Sequence, residues 1–106
     1  MFRDQRPVDP NETLENKRRR LVYQSRYRGM VEMDLIFGHF ARLRLERLDR
    51  PLLEEYDVLL KQLDNDLFRW LVMGQEAPEE IEGLQCYALL KEFVEKDRHQ
   101  LQGHIL

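Results

Sequence analysis

Apolar residues recur along this chain at spacings of three and four, and the longest such block runs from Leu35 to Leu48. Read as a helix with the residues just before it, this block puts Met30, Met33, Ile36, Phe37, Phe40 and Ala41 on one broad face. Glu32, His39, Arg42 and Glu46 fall opposite. Upstream, the spacing predicts a helix capped by Asp9 or Asn11 and running to about Tyr27, with Leu14, Leu21, Val22 and the Gln24–Ser25 pair turned inward. Asp49-Arg50-Pro51 reads as a turn, since proline suits a first helical turn. A third helix follows from Leu52 to Leu63, with Leu52, Leu53, Tyr56, Leu59, Leu60 and Leu63 as its stripe. Asp64-Asn65-Asp66 reads as a capping cluster before a short helix, Leu67 to Met73, which Gly74 stops. Pro78 opens the last helix, Glu79 to Arg98, which buries Ile81, Leu84, Tyr87 or Ala88, Leu89 or Leu90, and Val94. Acids at its start (Glu76, Glu79, Glu80, Glu82) and bases at its end (Lys91, Lys96, Arg98) complement the helix dipole. No stretch alternates with period two. The expected fold is all-α, a small bundle of five helices. Residues 1–10 are expected to form a flexible lead-in, 11–99 the single domain and 100–106 a tail.

Composition narrows the function classes. The chain has 106 residues, of which 42% are hydrophobic and 35% charged. That suits one helical domain with a heavily solvated outside. Residues 1–50 hold 12 basic and 8 acidic side chains, whereas residues 51–106 hold 5 and 12. The front half is therefore basic, yet the sequence pI of 5.6 is far from that of a nucleic-acid module. The single cysteine, Cys86, cannot form an internal disulfide and sits at helical spacing from Leu89, Leu90 and Phe93, as a small buried hydrophobe would. No apolar run has the roughly 18 residues of a membrane span, and the polar start is unlike a signal peptide. A soluble, intracellular protein is expected.

Little here supports catalysis. His39, His99 and His104 do not share a metal-ligand spacing with one another or with Cys86, and no glycine-rich loop could cradle a phosphate. Ser25 and Thr13 are the only hydroxyl side chains outside tyrosine, and neither has a histidine beside it in sequence. The run Lys17-Arg18-Arg19-Arg20 reads first as a solvated helix face and second as a contact for an acidic partner. Without interleaved aromatics, nucleic acid is the weakest of its readings.

What calls for an explanation is Arg28-Gly29-Met30-Val31-Glu32-Met33-Asp34, where a glycine stands between opposite charges at the mouth of the central helix. If helical, Arg28 and Glu32 adjoin, but an exposed pair of that kind contributes only about 0.2–0.5 kcal/mol. Gly29 either breaks the helix through a positive φ or bares the backbone to another protein. Trp70 can be a core anchor or part of a contact patch, and Tyr23 and Tyr27 face the same choice. His39 reads as an ordinary surface histidine.

These residues also resemble a known family. Arg28-Gly29-Met30-x-Glu32-x-Asp34 followed by Leu35-Ile36-Phe37 is similar to the Arg-Gly-x-x-Glu region of the succinate dehydrogenase flavinylation factors, the bacterial flavinators and mitochondrial assembly factor 2. Asp64-Asn65-Asp66-Leu67-Phe68-x-Trp70-Leu71 resembles that family's acidic turn before a short Phe/Trp helix. The likeness covers about Leu14 to Val94. Without the long C-terminal extension of some mitochondrial members, the chain looks closer to bacterial ones, with the mitochondrial matrix as the alternative compartment.

The resemblance implies a non-enzymatic, chaperone-like assembly factor. Its partner would be the flavoprotein subunit of succinate dehydrogenase, and often of fumarate reductase, and it would promote covalent attachment of FAD to a histidine of that partner. The histidine and the flavin's electrophilic carbon would both belong to the complex, with no cofactor held stably by this chain. Carried over by position, Arg28, Gly29 and Glu32 are the contact residues, with Met30 and Asp34 beside them; Trp70 joins the candidate contacts only on the amphipathic character of its ring. A free monomer without nucleic-acid binding or membrane insertion is expected. The alternative function within the resemblance is an antitoxin-like partner of a small membrane protein.

Overall fold

In the computed structural model, residues 10–26 and 28–96 are described, and they hold helices and turns without strands. The elements are α1 (Leu14–Arg26), α2 (Val31–Arg44), a 3-10 turn (Leu45–Arg47), α3 (Arg50–Leu60), α4 (Asp64–Leu71), the single-turn α5 (Glu79–Glu82) and α6 (Gln85–Lys96). The expected lead-in and tail, and the caps and helix ends placed on Asp9, Tyr27 and Arg98, lie wholly or partly outside the described residues.

Thr13 opens α1: its Oγ1 accepts the Asn16 amide at 3.1 Å, which supplies the cap expected from Asp9 or Asn11. Lys17, Leu21 and Ser25 form the buried stripe of α1, two of them polar. α2 buries Met33, Ile36, Phe37, Phe40 and Ala41 as its spacing predicts. It ends at Arg44, short of Leu48, where the chain tightens into the 3-10 turn. Asp49 then caps α3 through a 3.2 Å bond from the Leu52 amide, with Pro51 in the first turn. α3 stops at Leu60, so Leu63 is not on its stripe but is 56% exposed ahead of α4. Asp64, Asn65 and Asp66 prove to be the first turn of α4 rather than residues before it. Gly74, with φ +75°, turns the chain out of α4.

The expected final helix is broken at Gly83–Leu84 into α5 and α6. The break exposes a new helix N-terminus, and α3 satisfies it: Glu55 Oε1 accepts the Cys86 amide at 2.8 Å. The Glu82 carboxylate meanwhile bonds the Ala77 amide at 3.1 Å, closing the loop before α5.

α1 and α2 form an antiparallel hairpin, α3 lies across α1, and α6 packs on α3. Their shared interior is aromatic. Tyr56 stacks on Phe40 at 5.5 Å between centroids, and Phe40 meets Phe93 edge-on at 5.4 Å. The Tyr56 hydroxyl is sealed, shares a 2.6 Å bond with Ser25 Oγ, and reaches the Phe37 carbonyl at 3.4 Å. Burial pushes its ionisation well above the ordinary range of a phenol. Ser25 Oγ also donates to the Leu21 carbonyl at 2.6 Å, so both buried hydroxyls are satisfied inside the bundle.

Candidate docking surface

The chain passes from α1 to α2 through Arg28-Gly29-Met30. Gly29 is exposed and has φ +103°, a conformation that costs an ordinary L-residue about 1–2 kcal/mol and glycine almost nothing. Met30 is the extended N-cap residue of α2 and makes no side-chain cap bond. Asp34 compensates from within the first turn, accepting the Arg28 amide at 2.6 Å on Oδ1. Its own amide donates to the Met30 carbonyl at 2.9 Å. Glu32 and Asp34 also place negative charge at the positive end of the α2 dipole.

Arg28 departs from the sequence expectation. It precedes the helix, so it does not pair with Glu32 at helical spacing, and it is only 4% exposed. Its guanidinium enters the turn between α3 and α4. Nε donates to Asp64 Oδ1 at 2.9 Å, Nη2 to the Gln62 carbonyl at 2.9 Å, and Nη1 to the Leu60 carbonyl. The Phe37 ring lies 5.0 Å beneath it. Asp64 is 1% exposed, and its Oδ2 has no hydrogen-bond partner within the described residues. In the folded chain Arg28 is therefore an internal brace rather than the exposed charge adjoining Glu32 that its spacing suggested. The physical reason is that the turn after α3 presents the Leu60 and Gln62 carbonyls beside the Asp64 carboxylate, and a five-donor fork meets all three together.

The brace ties the Gly29 turn to the α3–α4 turn. Exposed on or beside these two turns are the bare Gly29 backbone, Lys61, Val31 at 62% exposure and Leu63 at 56%. Met30, Glu32 and Asp34 are half-buried. Trp70, on α4, is half-buried and packs against the core, which leaves part of its ring outside. His39 is half-buried as well, its Nδ1 2.8 Å from the Leu35 carbonyl of its own helix. Val31 and Leu63 had no signal in the sequence beyond being apolar. Asp64 had only its place in an acidic turn.

The basic run is mostly spent internally, which corrects the solvated-face reading. Lys17 lies 3.7 Å from Asp57, and Arg20 bonds Asp57 at 3.0 Å and Glu12 at 2.8 Å. The Arg20 bond, ahead of the opposing effect of burial, holds the Glu12 carboxyl below its ordinary range. Arg18 donates to the carbonyls of Leu45 at 3.2 Å and Leu48 at 2.8 Å, tying α1 to the 3-10 turn that follows α2. Arg19 alone remains on a solvated face, paired with Glu15. Cys86 is fully buried, and burial, aided by Glu55, pushes its thiol up to about 12.

Residues 19–94 match the family model described as flavinator of succinate dehydrogenase. The chain belongs to the succinate dehydrogenase flavinator family. Among similar proteins in this family is succinate dehydrogenase assembly factor 2, mitochondrial, of Caenorhabditis elegans, 38% identical over 91 residues, which are 84% of this chain and 76% of the relative. The protein of the same name from Dictyostelium discoideum is 45% identical over 69 residues, 65% of this chain and 49% of its own. That from Saccharomyces cerevisiae is 37% identical over 94 residues, 86% and 58% respectively. The chain thus spans between about half and three quarters of these flavinator relatives. Among the described residues, no helix of this family member is long and apolar enough to cross a membrane, and no three His, Cys, Asp or Glu side chains cluster as metal ligands.

Proposed function

We propose that this member of the flavinator family acts as an assembly factor that docks on the flavoprotein subunit of succinate dehydrogenase and promotes covalent FAD attachment there. The observation that carries the reading is the exposed, left-handed Gly29 turn, held rigid from behind by Arg28–Asp64 and from α2 by Asp34. A stiff turn without a side chain lets a partner's backbone approach closely at little entropic cost. Val31 and Leu63 offer apolar contact beside it, Glu32 a charge at its edge, and Met30 and Trp70 half-buried margins.

The contribution we assign to the chain is binding energy. Attachment requires the partner's histidine to be held in line with the flavin, and a docked protein can favour the conformation in which it is. Among the described residues, the Cys86 thiol is shut in by burial and the Ser25 hydroxyl is engaged by Leu21 and Tyr56. The mitochondrial names of the relatives support a mitochondrial setting as the alternative to the bacterial cytoplasm. Fumarate reductase is a second client implied by the resemblance.

The test is purified apo flavoprotein with FAD, with and without this chain, read by in-gel flavin fluorescence. Gly29→Ala and Gly29→Arg both bear the strain of φ +103°, about 1–2 kcal/mol, but only the latter adds bulk. Well below their melting temperatures, Gly29→Ala should stimulate attachment and Gly29→Arg should not. Equal stimulation by the two would remove the Gly29 turn from the contact.

A further inference from the structure

Along the α1–α2 hairpin lies an open groove of about 530 Å³ that the Gly29 turn does not line. Its apolar floor is Val22, Ala41 and Leu45, and Tyr23, 48% exposed, stands on its α1 side. Four arginines surround the floor against two carboxylates. Arg18 is committed to the Leu45 and Leu48 carbonyls, and Arg19 to Glu15 at 2.8 Å. Arg26 and Arg42, one on each wall, are exposed and make no ion pair among the described residues. Glu46 is the remaining acid. A net positive groove on a chain of net charge −3 is a local concentration of uncommitted guanidinium groups.

We infer that this groove is a second docking surface, which takes an acidic segment of the partner flavoprotein bearing at least one apolar side chain. The inference rests on the assembly-factor reading for the identity of the partner. Arg26 and Arg42 can each fork a carboxylate in bidentate fashion, while Val22, Ala41 and Leu45 accept the apolar side chain between them. The occupant is a peptide rather than a polyphosphate because Glu15 and Glu46 stand at the same groove and the whole chain is acidic. Both features repel a continuous line of phosphates, whereas a peptide can space its charges to avoid them. A second contact makes docking bivalent. Once the Gly29 turn has engaged, the groove binds at high effective concentration and fixes orientation, which a single turn cannot do.

The experiment compares wild type with Arg26→Glu/Arg42→Glu for binding to the purified apo flavoprotein subunit by biolayer interferometry, at low and at raised salt. Both side chains are outside the core, so the double variant should melt with wild type. Its affinity at low salt should fall about tenfold or more, mainly through slower association, and the gap should narrow as salt screens the wild-type attraction. Arg26→Gln/Arg42→Gln should fall between the two, which covers the case of a reversal variant that misfolds. Wild-type affinity and salt dependence in a folded double variant would overturn the groove and leave the Gly29 surface standing. Loss of binding to phosphatidylserine vesicles or duplex DNA, with flavoprotein binding unchanged, would overturn it in favour of another polyanion. Absence of wild-type binding to the flavoprotein would overturn both readings together.

Discussion

Replacing Arg28 by methionine separates the two roles open to it. Methionine keeps much of the stem's length and apolar packing but removes every donor. In the folded chain, Asp64 would then lie buried without its guanidinium, and the Leu60 and Gln62 carbonyls would lose the Arg28 donors. Breaking a buried pair from one side costs about 3–5 kcal/mol, because the remaining charge stays away from water. Domains of this size have total stabilities of roughly 5–15 kcal/mol, so the loss would be a large share. At roughly 4–8 °C per kcal/mol, the melting temperature should fall by at least about 12 °C. Urea titration followed by circular dichroism at the helix band gives the free energies. Asp64→Leu should cost a similar amount, and Arg28→Met/Asp64→Leu much less than the two together, since an apolar pair leaves no stranded charge. A loss under about 1 kcal/mol for Arg28→Met, with partner binding abolished, would refute the brace. It would return Arg28 to the surface role that its neighbours in sequence suggest.

Two further measurements probe the interior and the α1 ion cluster. With its thiol raised to about 12 and fully buried, Cys86 should resist a thiol reagent at about pH 8 in the native protein and react completely once denatured; rapid native labelling would contradict its burial. Glu12, whose carboxyl is lowered chiefly by its bond from Arg20, contributes stability that is fully present above its ordinary value of 4.5 and is lost as pH falls through the lowered one. Glu12→Gln should therefore flatten the acid limb of a plot of unfolding free energy against pH, and an unchanged limb would exclude this cluster as an acid-sensitive element.

Much of the fold is legible without coordinates, because helix burial is written at short range. The stripe of α2 from Met33 to Ala41, Pro51 in the first turn of α3 and the stops at Gly29 and Gly74 each follow from spacing or from the torsional freedom of one residue. The break at Gly83–Leu84 was hidden because no residue there forbids a helix, and the new N-terminus is capped by Glu55 from another element. The motif itself was readable as an anomaly and as a family likeness. Its division of labour was not: Gly29 faces outward while Arg28 turns in to Asp64, 36 residues away. Lys17 and Arg20 likewise find Asp57 only because α1 lies against α3. Periodicity determines which face of each helix seeks the interior, but a charged side chain's partner depends on which helices cross and where. That is a property of packing, and only the tertiary structure decided it.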